Sequence, residues 1–222
     1  MEQTGELARW SAEFGVQLSR EQLGFFQIYL RELRDWNSKT NLTSITLPQE
    51  IIIKHFVDSL ACSKAMVRLQ KNAELLDLGS GAGFPGLPLK LAFPELTATL
   101  LEPASKKIAF LRHMIGTLEL TNIKAVPATL QAFATDATQH RRYSYIISRA
   151  LDMSPIIDLC WELLSNQGRL ILCRSKPFRD NKMLSRFEVE NELSYELPRG
   201  HGHRVLTILT RCDLFHVEHK AT

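Results

Sequence analysis

Leu75-Leu76-Asp77-Leu78-Gly79-Ser80-Gly81-Ala82-Gly83-Phe84-Pro85-Gly86 decides how this chain folds. A short apolar run ends in four glycines within eight residues, and an apolar helical pattern follows. That order predicts a strand, a tight loop and a helix start. Glycines lack Cβ, so the loop can take positive φ and let a ligand lie against bare backbone. Pro85 suits the first turn of a helix, where its missing N–H would go unpaired anyway.

The flanking segments alternate. Strands are expected near 74–79, 97–102, 123–127, 143–149 and 169–174, and helices near 86–92, 105–118, 153–164 and 180–190. Strand–helix alternation implies a doubly wound parallel sheet. The ending differs. Leu193–Leu197 and Arg204–Leu209 flank a gap too short for a helix, so they are expected to form an antiparallel hairpin. Upstream, Leu7, Trp10 and Phe14 share one helical spacing, and Leu23, Phe26, Leu30 and Leu33 another. Ser19 and Gln22 make a capping box for the second helix, Asn41 caps a turn, and Leu47-Pro48 opens a third helix. The expected organisation is a helical cap over 1–70, an α/β core over 71–212 and a loose tail over 213–222.

The loop matches two ligand patterns. Gly81 to Gly86 reads G-x-G-x-x-G, the dinucleotide fingerprint. Asp77, Gly79, Gly81 and Gly83 equally read D-x-G-x-G-x-G, the loop of S-adenosylmethionine (SAM) methyltransferases. Glu102 ends the next strand about twenty residues on, where an acid can accept from both ribose hydroxyls of an adenosine. The terminal hairpin separates the two. SAM methyltransferases end their sheet with an antiparallel strand, and too few residues follow the hairpin to build a dehydrogenase's substrate domain. The expected fold class is therefore α/β: a Rossmann-like SAM-dependent methyltransferase sheet, mostly parallel, with a C-terminal antiparallel hairpin and an N-terminal helical cap.

Composition narrows the setting. The 222 residues are 45% hydrophobic and 23% charged, ordinary for a soluble globular chain. No eighteen-residue apolar run occurs and the first residues are polar and acidic, so neither membrane association nor a secretory signal is expected. A cytoplasmic monomer follows as the expectation. The four cysteines show no C-x-x-C, and Cys160 and Cys173 lie in apolar runs as small hydrophobes. The pairs His201/His203 and His216/His219 lack a third ligand, so no metal is expected. The net charge is +3. Lys106, Lys107, Arg112, Arg141, Arg142, Arg149, Arg174, Lys176 and Arg179 follow or bracket strands. Cations at the strands' C-terminal ends would ring the cleft and draw a polyanion.

Residues 77–89 resemble the loop of the bacterial ribosomal RNA small subunit methyltransferase G family, also called glucose-inhibited division protein B. Phe84-Pro85-Gly86 carries more of that likeness than the glycines do. Trp36-Asn37 with Asn41-Leu42-Thr43-Ser44, Lys54-His55-Phe56-Val57-Asp58-Ser59, Ser105-Lys106-Lys107 with Phe110-Leu111, and Ile147-Ser148-Arg149-Ala150 also match, in order, over about 29–210. The resemblance implies methyl transfer from SAM to N7 of a specific guanine in 16S rRNA, free or in the small subunit. It places SAM contacts at Gly79, Phe84, Glu102, Leu130, Gln131 and Arg149. Two positions depart from the family pattern: many members carry Asp at Glu102 and a carboxylate at Gln131.

Guanine N7 has an exposed lone pair and no proton to lose, so positioning and charge stabilisation suffice. Arg149, at the end of the fourth strand, is the candidate catalytic residue, suited to a phosphate or guanine O6. His55, Lys176 and Arg204 are candidate RNA contacts, and Phe84 a candidate base-stacking ring. The competing reading is a SAM methyltransferase acting on a small molecule or protein; a non-catalytic RNA-binding module is the third.

Overall fold

Seven strands form one sheet in the order β3-β2-β1-β4-β5-β7-β6. They are β1 Glu74–Leu78, β2 Thr97–Leu101, β3 Ile123–Val126, β4 Tyr143–Arg149, β5 Leu164–Arg174, β6 Phe187–Glu196 and β7 His203–Arg211. The computed structural model describes residues 2–66, 73–149, 151–177 and 186–212. The expected tail, Ala150, Arg179, His216 and His219 lie outside the described residues.

Strands β1 to β5 pair in parallel; β7 inserts antiparallel between β5 and β6. The short link between β6 and β7 forces this reversal, because a parallel return needs a crossover of a dozen residues. Side-chain alternation sends Leu75, Leu100, Ile147 and Ile171 to one face, and Leu76, Leu101, Ile146 and Leu170 to the other. Both faces are buried, as a parallel sheet requires. Helices α7 (Leu130–Ala134) and α8 (Ile157–Leu163) cover the second face. Helices α5 (Gly86–Ala92) and α6 (Ser105–Thr117) cover the first, together with the N-terminal helices.

Those N-terminal helices are α1 (Glu2–Glu13), α2 (Arg20–Thr40), α3 (Pro48–Ile51) and α4 (Asp58–Ala61). A π-helical stretch, Ile52–Val57, joins α3 to α4, and a 3₁₀ turn, Cys62–Ala65, continues from α4. Ser19 caps α2 with the reciprocal Gln22 bond of a capping box. Asn41 ends α2 in the left-handed region, at φ 50. No described helix is long and apolar enough to cross a membrane.

The cap grips the glycine loop directly. Tyr29 of α2 is fully buried and donates its hydroxyl to the Ala82 carbonyl at 2.5 Å. Its ring stacks on Phe84 at 5.4 Å, and His55 also stacks on Phe84, at 4.4 Å. His55 in turn meets Thr43 Oγ1 at 3.0 Å, and the Thr43 N–H donates to Asn37 Oδ1. The 37–43 turn therefore holds His55, and His55 holds the loop.

Two expected elements differ. The helix expected from 153 starts at Ile157; residues 151–156 form a loop in which Asp152 Oδ1 accepts from the Ser154 N–H. The helix expected over 180–190 is strand β6 from Phe187 on, and 178–185 lie outside the described residues. Its glutamates favour helix locally. Pairing with β7 and the Arg169–Glu190 ion pair outweigh that preference, and the charges blunt an edge strand.

Tyr29→Phe removes the donor from a buried carbonyl and is expected to cost about 1–3 kcal/mol. Guanidinium denaturation measures it; an unchanged midpoint would mean that this bond contributes nothing to holding the cap on the loop.

Candidate functional site

Two cavities open side by side at the C-terminal ends of the parallel strands. The first, about 240 Å³, is walled by Leu78, Leu101, Pro103, Leu130 and Ile156, with Gly79 and Gln131 at its edge. The second, about 490 Å³, is lined by Asp58, Arg149, Cys173, Arg174 and Arg204 among others. Leu151 and Asp152 line both, so the loop after β4 is their common wall. A Cβ built on Gly79 would stand 3.0 Å from Leu151 Cδ1, which shows how closely that wall approaches the loop.

The glycine loop is built around two acids. Asp77 is fully buried and its Oδ2 accepts the Gly86 N–H at 2.8 Å. Gly86 tolerates no side chain: a Cβ would lie 2.5 Å from Leu100 Cδ2 and 2.7 Å from Asp77 Oδ2. Glu102 ends β2, where Oε2 accepts the Gly81 N–H at 2.9 Å and Oε1 the Ala104 N–H at 3.0 Å. These bonds turn the carboxylate into the loop; Glu102 is buried and lines neither cavity. Gly79, Gly81 and Gly83 have φ of 67, 59 and 104. The Phe84–Pro85 peptide is cis, and Pro85 stands just before the first residue of α5.

Burial raises the Asp77 carboxyl to about 7, the Gly86 N–H only partly opposing it. Among the described residues Asp77 Oδ1 meets no hydrogen-bond donor. His55 goes the other way. Burial first, then the Arg149 charge, pushes it down to about 4. It is an uncharged ring at neutral pH and gives a phosphate no cationic partner.

The second cavity centres on a carboxylate that the sequence reading did not single out. Asp58 Oδ2 takes Arg149 Nη2 at 2.9 Å and Arg204 Nε at 3.5 Å, and Oδ1 accepts the Tyr195 hydroxyl at 2.7 Å. Arg149 also donates to the Lys54 carbonyl at 3.0 Å and to Ser59 Oγ at 3.3 Å. Its three partner atoms thus lie on one helical run, Lys54 to Ser59, which fixes the guanidinium on the cavity wall. The only signal for Asp58 in the sequence was its place in Lys54-His55-Phe56-Val57-Asp58-Ser59; Tyr195 gave none.

The structure thus brings Gly79, Leu130 and Gln131 to one cavity, and Arg149 and Arg204 to the other. Lys176 is exposed just beyond Arg174 and Ser175, which line the second cavity. Phe84 is 8% exposed and stacked by both His55 and Tyr29, so little of its ring is open to an incoming base. Arg141 and Arg142 stand at the N-terminal end of β4, away from both cavities. Arg141 lies over Trp161, and Arg142 pairs with Glu74. They do not belong to the rim.

The family model described as rRNA small subunit methyltransferase G matches residues 22–198. Ribosomal RNA small subunit methyltransferase G of Roseiflexus castenholzii is 36% identical over 185 residues, covering 83% of this chain and 78% of that protein. The protein of the same name from Geobacter metallireducens is 34% identical over 213 residues, covering 92% and 94%. Among solved structures, M. jannaschii TYW2 in complex with AdoMet superposes with a TM-score of 0.52 at 14% identity, covering 68% of this chain and 74% of that one. That likeness is one of fold.

Asp77 and His55 make opposed contributions to stability against pH. The folded Asp77 keeps its proton up to about 7, whereas the unfolded one loses it near 3.8, so its contribution falls as pH rises between those values. The folded His55 protonates only near 4, against 6.5 unfolded, so its contribution is complete above 6.5 and is lost as pH falls. Asp77→Asn removes the first. Denaturation curves at successive pH values should show the variant gaining on the native chain from pH 4 to 7 and no further above that. A constant gap across that window would show that Asp77 is ionised in the fold throughout.

Proposed function

The chain belongs to the rRNA small subunit methyltransferase G family, and from that premise we propose that it transfers a methyl group from SAM to N7 of one guanine in 16S rRNA. The observation that supports this reading is the pairing of an apolar cavity with an arginine-lined one across the wall of Leu151 and Asp152. SAM is the methyl donor and ribosomal RNA of the small subunit the acceptor.

The donor's requirements fit the first cavity. Leu78, Leu101, Pro103, Leu130 and Ile156 offer apolar faces to an adenine. Gln131, exposed at the edge, offers an amide oxygen to the exocyclic amine. Glu102 offers carboxylate oxygens to the ribose hydroxyls, and the positive-φ backbone of Gly79, Gly81 and Gly83 leaves room for the methionine portion. When bound, SAM supplies an electrophilic methyl group on a sulfonium.

The chain's own residues then position the acceptor. Arg174 and Arg204 attract the RNA backbone to the second cavity, with Lys176 beyond them. Arg149 presents N–H groups to guanine O6 or a flanking phosphate, and Asp58 and the Lys54 carbonyl keep it from swinging away. Leu151 is the apolar wall past which the base must approach. N7 carries no proton, so the reaction needs no general base. We assign His55 to holding Phe84 and the loop. One copy carries both cavities, and we propose that the enzyme acts as a monomer in the cytoplasm, where its acceptor is made.

The test is transfer of labelled methyl from SAM to 30S subunits and to free 16S rRNA lacking the modification, with the product mapped by nuclease digestion. Label at a single N7-guanine is expected. Label on neither, with SAM bound, would overturn the reading and turn the search to small-molecule or protein acceptors. RNA binding should also weaken steeply with salt; a flat response would favour those acceptors. Gly81→Val should abolish SAM binding, since its side chain would project into the loop's open face, where nothing lies closer than 3.9 Å. SAM binding at native affinity in that variant would refute the placement of the donor. Asp58→Asn should lower turnover about tenfold to a hundredfold while SAM affinity changes by less than about twofold. Equal loss of both would make Asp58 a residue of the fold alone.

A further inference from the structure

Cys62 and Cys173 belong to no element of the proposed reaction, yet their sulfurs stand 3.3 Å apart. Cys62 opens the 3₁₀ turn that continues α4, is fully buried, and points its thiol back toward the Asp58 carbonyl. Cys173 lies on β5 as the cross-strand partner of Arg149, is partly exposed, and lines the second cavity. The Asp58–Arg149 ion pair and the Cys62–Cys173 contact therefore bridge the same two parts of the molecule. One joins α4 to β4, and the other joins the turn after α4 to β5. The other cysteines have no such neighbour: Cys160 is buried under the opposite face, and Cys212 follows β7.

We propose that Cys62 and Cys173 are an oxidisable dithiol, in which a hydroperoxide reaching the second cavity converts them to a disulfide that fastens the cap to the sheet beside Arg149. The sulfurs already face each other, and a disulfide needs them about 2.05 Å apart, an approach of little more than 1 Å. Accessibility sets the order of events. Cys173 meets the oxidant through the cavity. The hydrogen bond to Cys173 and burial keep the Cys62 thiol protonated, so it waits as the resolving partner.

The chemistry balances with hydrogen peroxide as oxidant. The Cys173 sulfur attacks one peroxide oxygen; the S–O bond forms, the O–O bond breaks, and one water leaves with the thiol proton. The Cys62 sulfur then attacks the sulfenic sulfur; the S–S bond forms, the S–O bond breaks, and the departing hydroxide takes the Cys62 proton as a second water. Two thiols are oxidised and one peroxide is reduced. The consequence for activity rests on the reading proposed above. The disulfide removes a thiol from the acceptor cavity and draws the turn after α4 toward β5, shifting the Asp58–Arg149 pair from the position that holds the acceptor, while the donor cavity is untouched.

The full-length protein, reduced and freed of reductant, is treated with hydrogen peroxide, its remaining thiols are alkylated without reduction, and its peptides are mapped by mass spectrometry. A cross-linked peptide pair joining Cys62 to Cys173, lighter by two hydrogens than the two thiol peptides, is expected. Cys62→Ser and Cys173→Ser should each abolish it, and Cys160→Ser should not. Alkylation of Cys62 and Cys173 to the same extent before and after peroxide, or a bond to Cys160 or Cys212 instead, would overturn the proposal. Oxidation should lower methylation of 30S subunits or 16S rRNA about tenfold with SAM affinity within about twofold, and dithiothreitol should restore it. A disulfide that leaves methylation unchanged would overturn the control of activity. The peptide map needs no turnover, so failure of the dithiol is distinguishable from failure of the reaction.

Discussion

The Tyr29–Phe84–His55 stack is the constraint on which the rest depends. A loop rich in glycine is entropically expensive to hold in one shape. Here the loop is held from outside. The Tyr29 hydroxyl takes the Ala82 carbonyl, and two flat rings clamp Phe84. From within, Asp77 and Glu102 accept loop N–H groups at Gly86 and Gly81. The cap is thereby part of the site. It shares one apolar cluster with the first face of the sheet, and its turn at 37–43 reaches the loop through Thr43 and His55.

A second constraint runs through the same cap. The helical run from Pro48 to Ala65 contains a π-helical stretch, which turns His55 toward the loop and leaves Asp58 facing β4 and β7. π-helical insertions recur at functional sites because they re-aim neighbouring side chains. Breaking a buried ion pair by removing one partner leaves a charge stranded. Arg149 and Asp58 therefore hold each other in place, and Tyr195 binds the terminal hairpin to the pair. The antiparallel end of the sheet contributes to the wall of the second cavity as well as closing the fold.

Much of this was legible in the residues. Six of the seven strands lie where hydrophobic runs and turn residues put them, and β6 was anticipated from Leu193 on. The reversal at β7 followed from the length of its connection. The loop, the helix after it and the acid at the end of β2 were readable from Asp77 to Glu102 because backbone geometry dictates glycine at those sites. Three things were not legible. Glu188, Glu190 and Glu192 read as helix formers, but only pairing with β7 makes that segment a strand. Phe84 read as a candidate base-stacking ring, and only the packing of Tyr29 and His55 buries it. Asp58 read as one letter of a matching segment, since the guanidinium and hydroxyl that converge on it come from 91 and 137 positions away along the chain.

The sequence by itself determined the alternation of strand and helix, the reversed last strand, the glycine loop with its two acids, and the family. Each rests on local chemistry: side-chain periodicity, missing Cβ atoms, or a connection too short for a crossover. Tertiary structure alone decided which side chains meet. It made His55 a neutral packing ring, gathered Asp58, Arg149, Tyr195 and Arg204 from four elements, and set the Cys62 and Cys173 thiols in contact. Such meetings depend on long-range packing and on desolvation, and no residue's neighbours in the chain report either one.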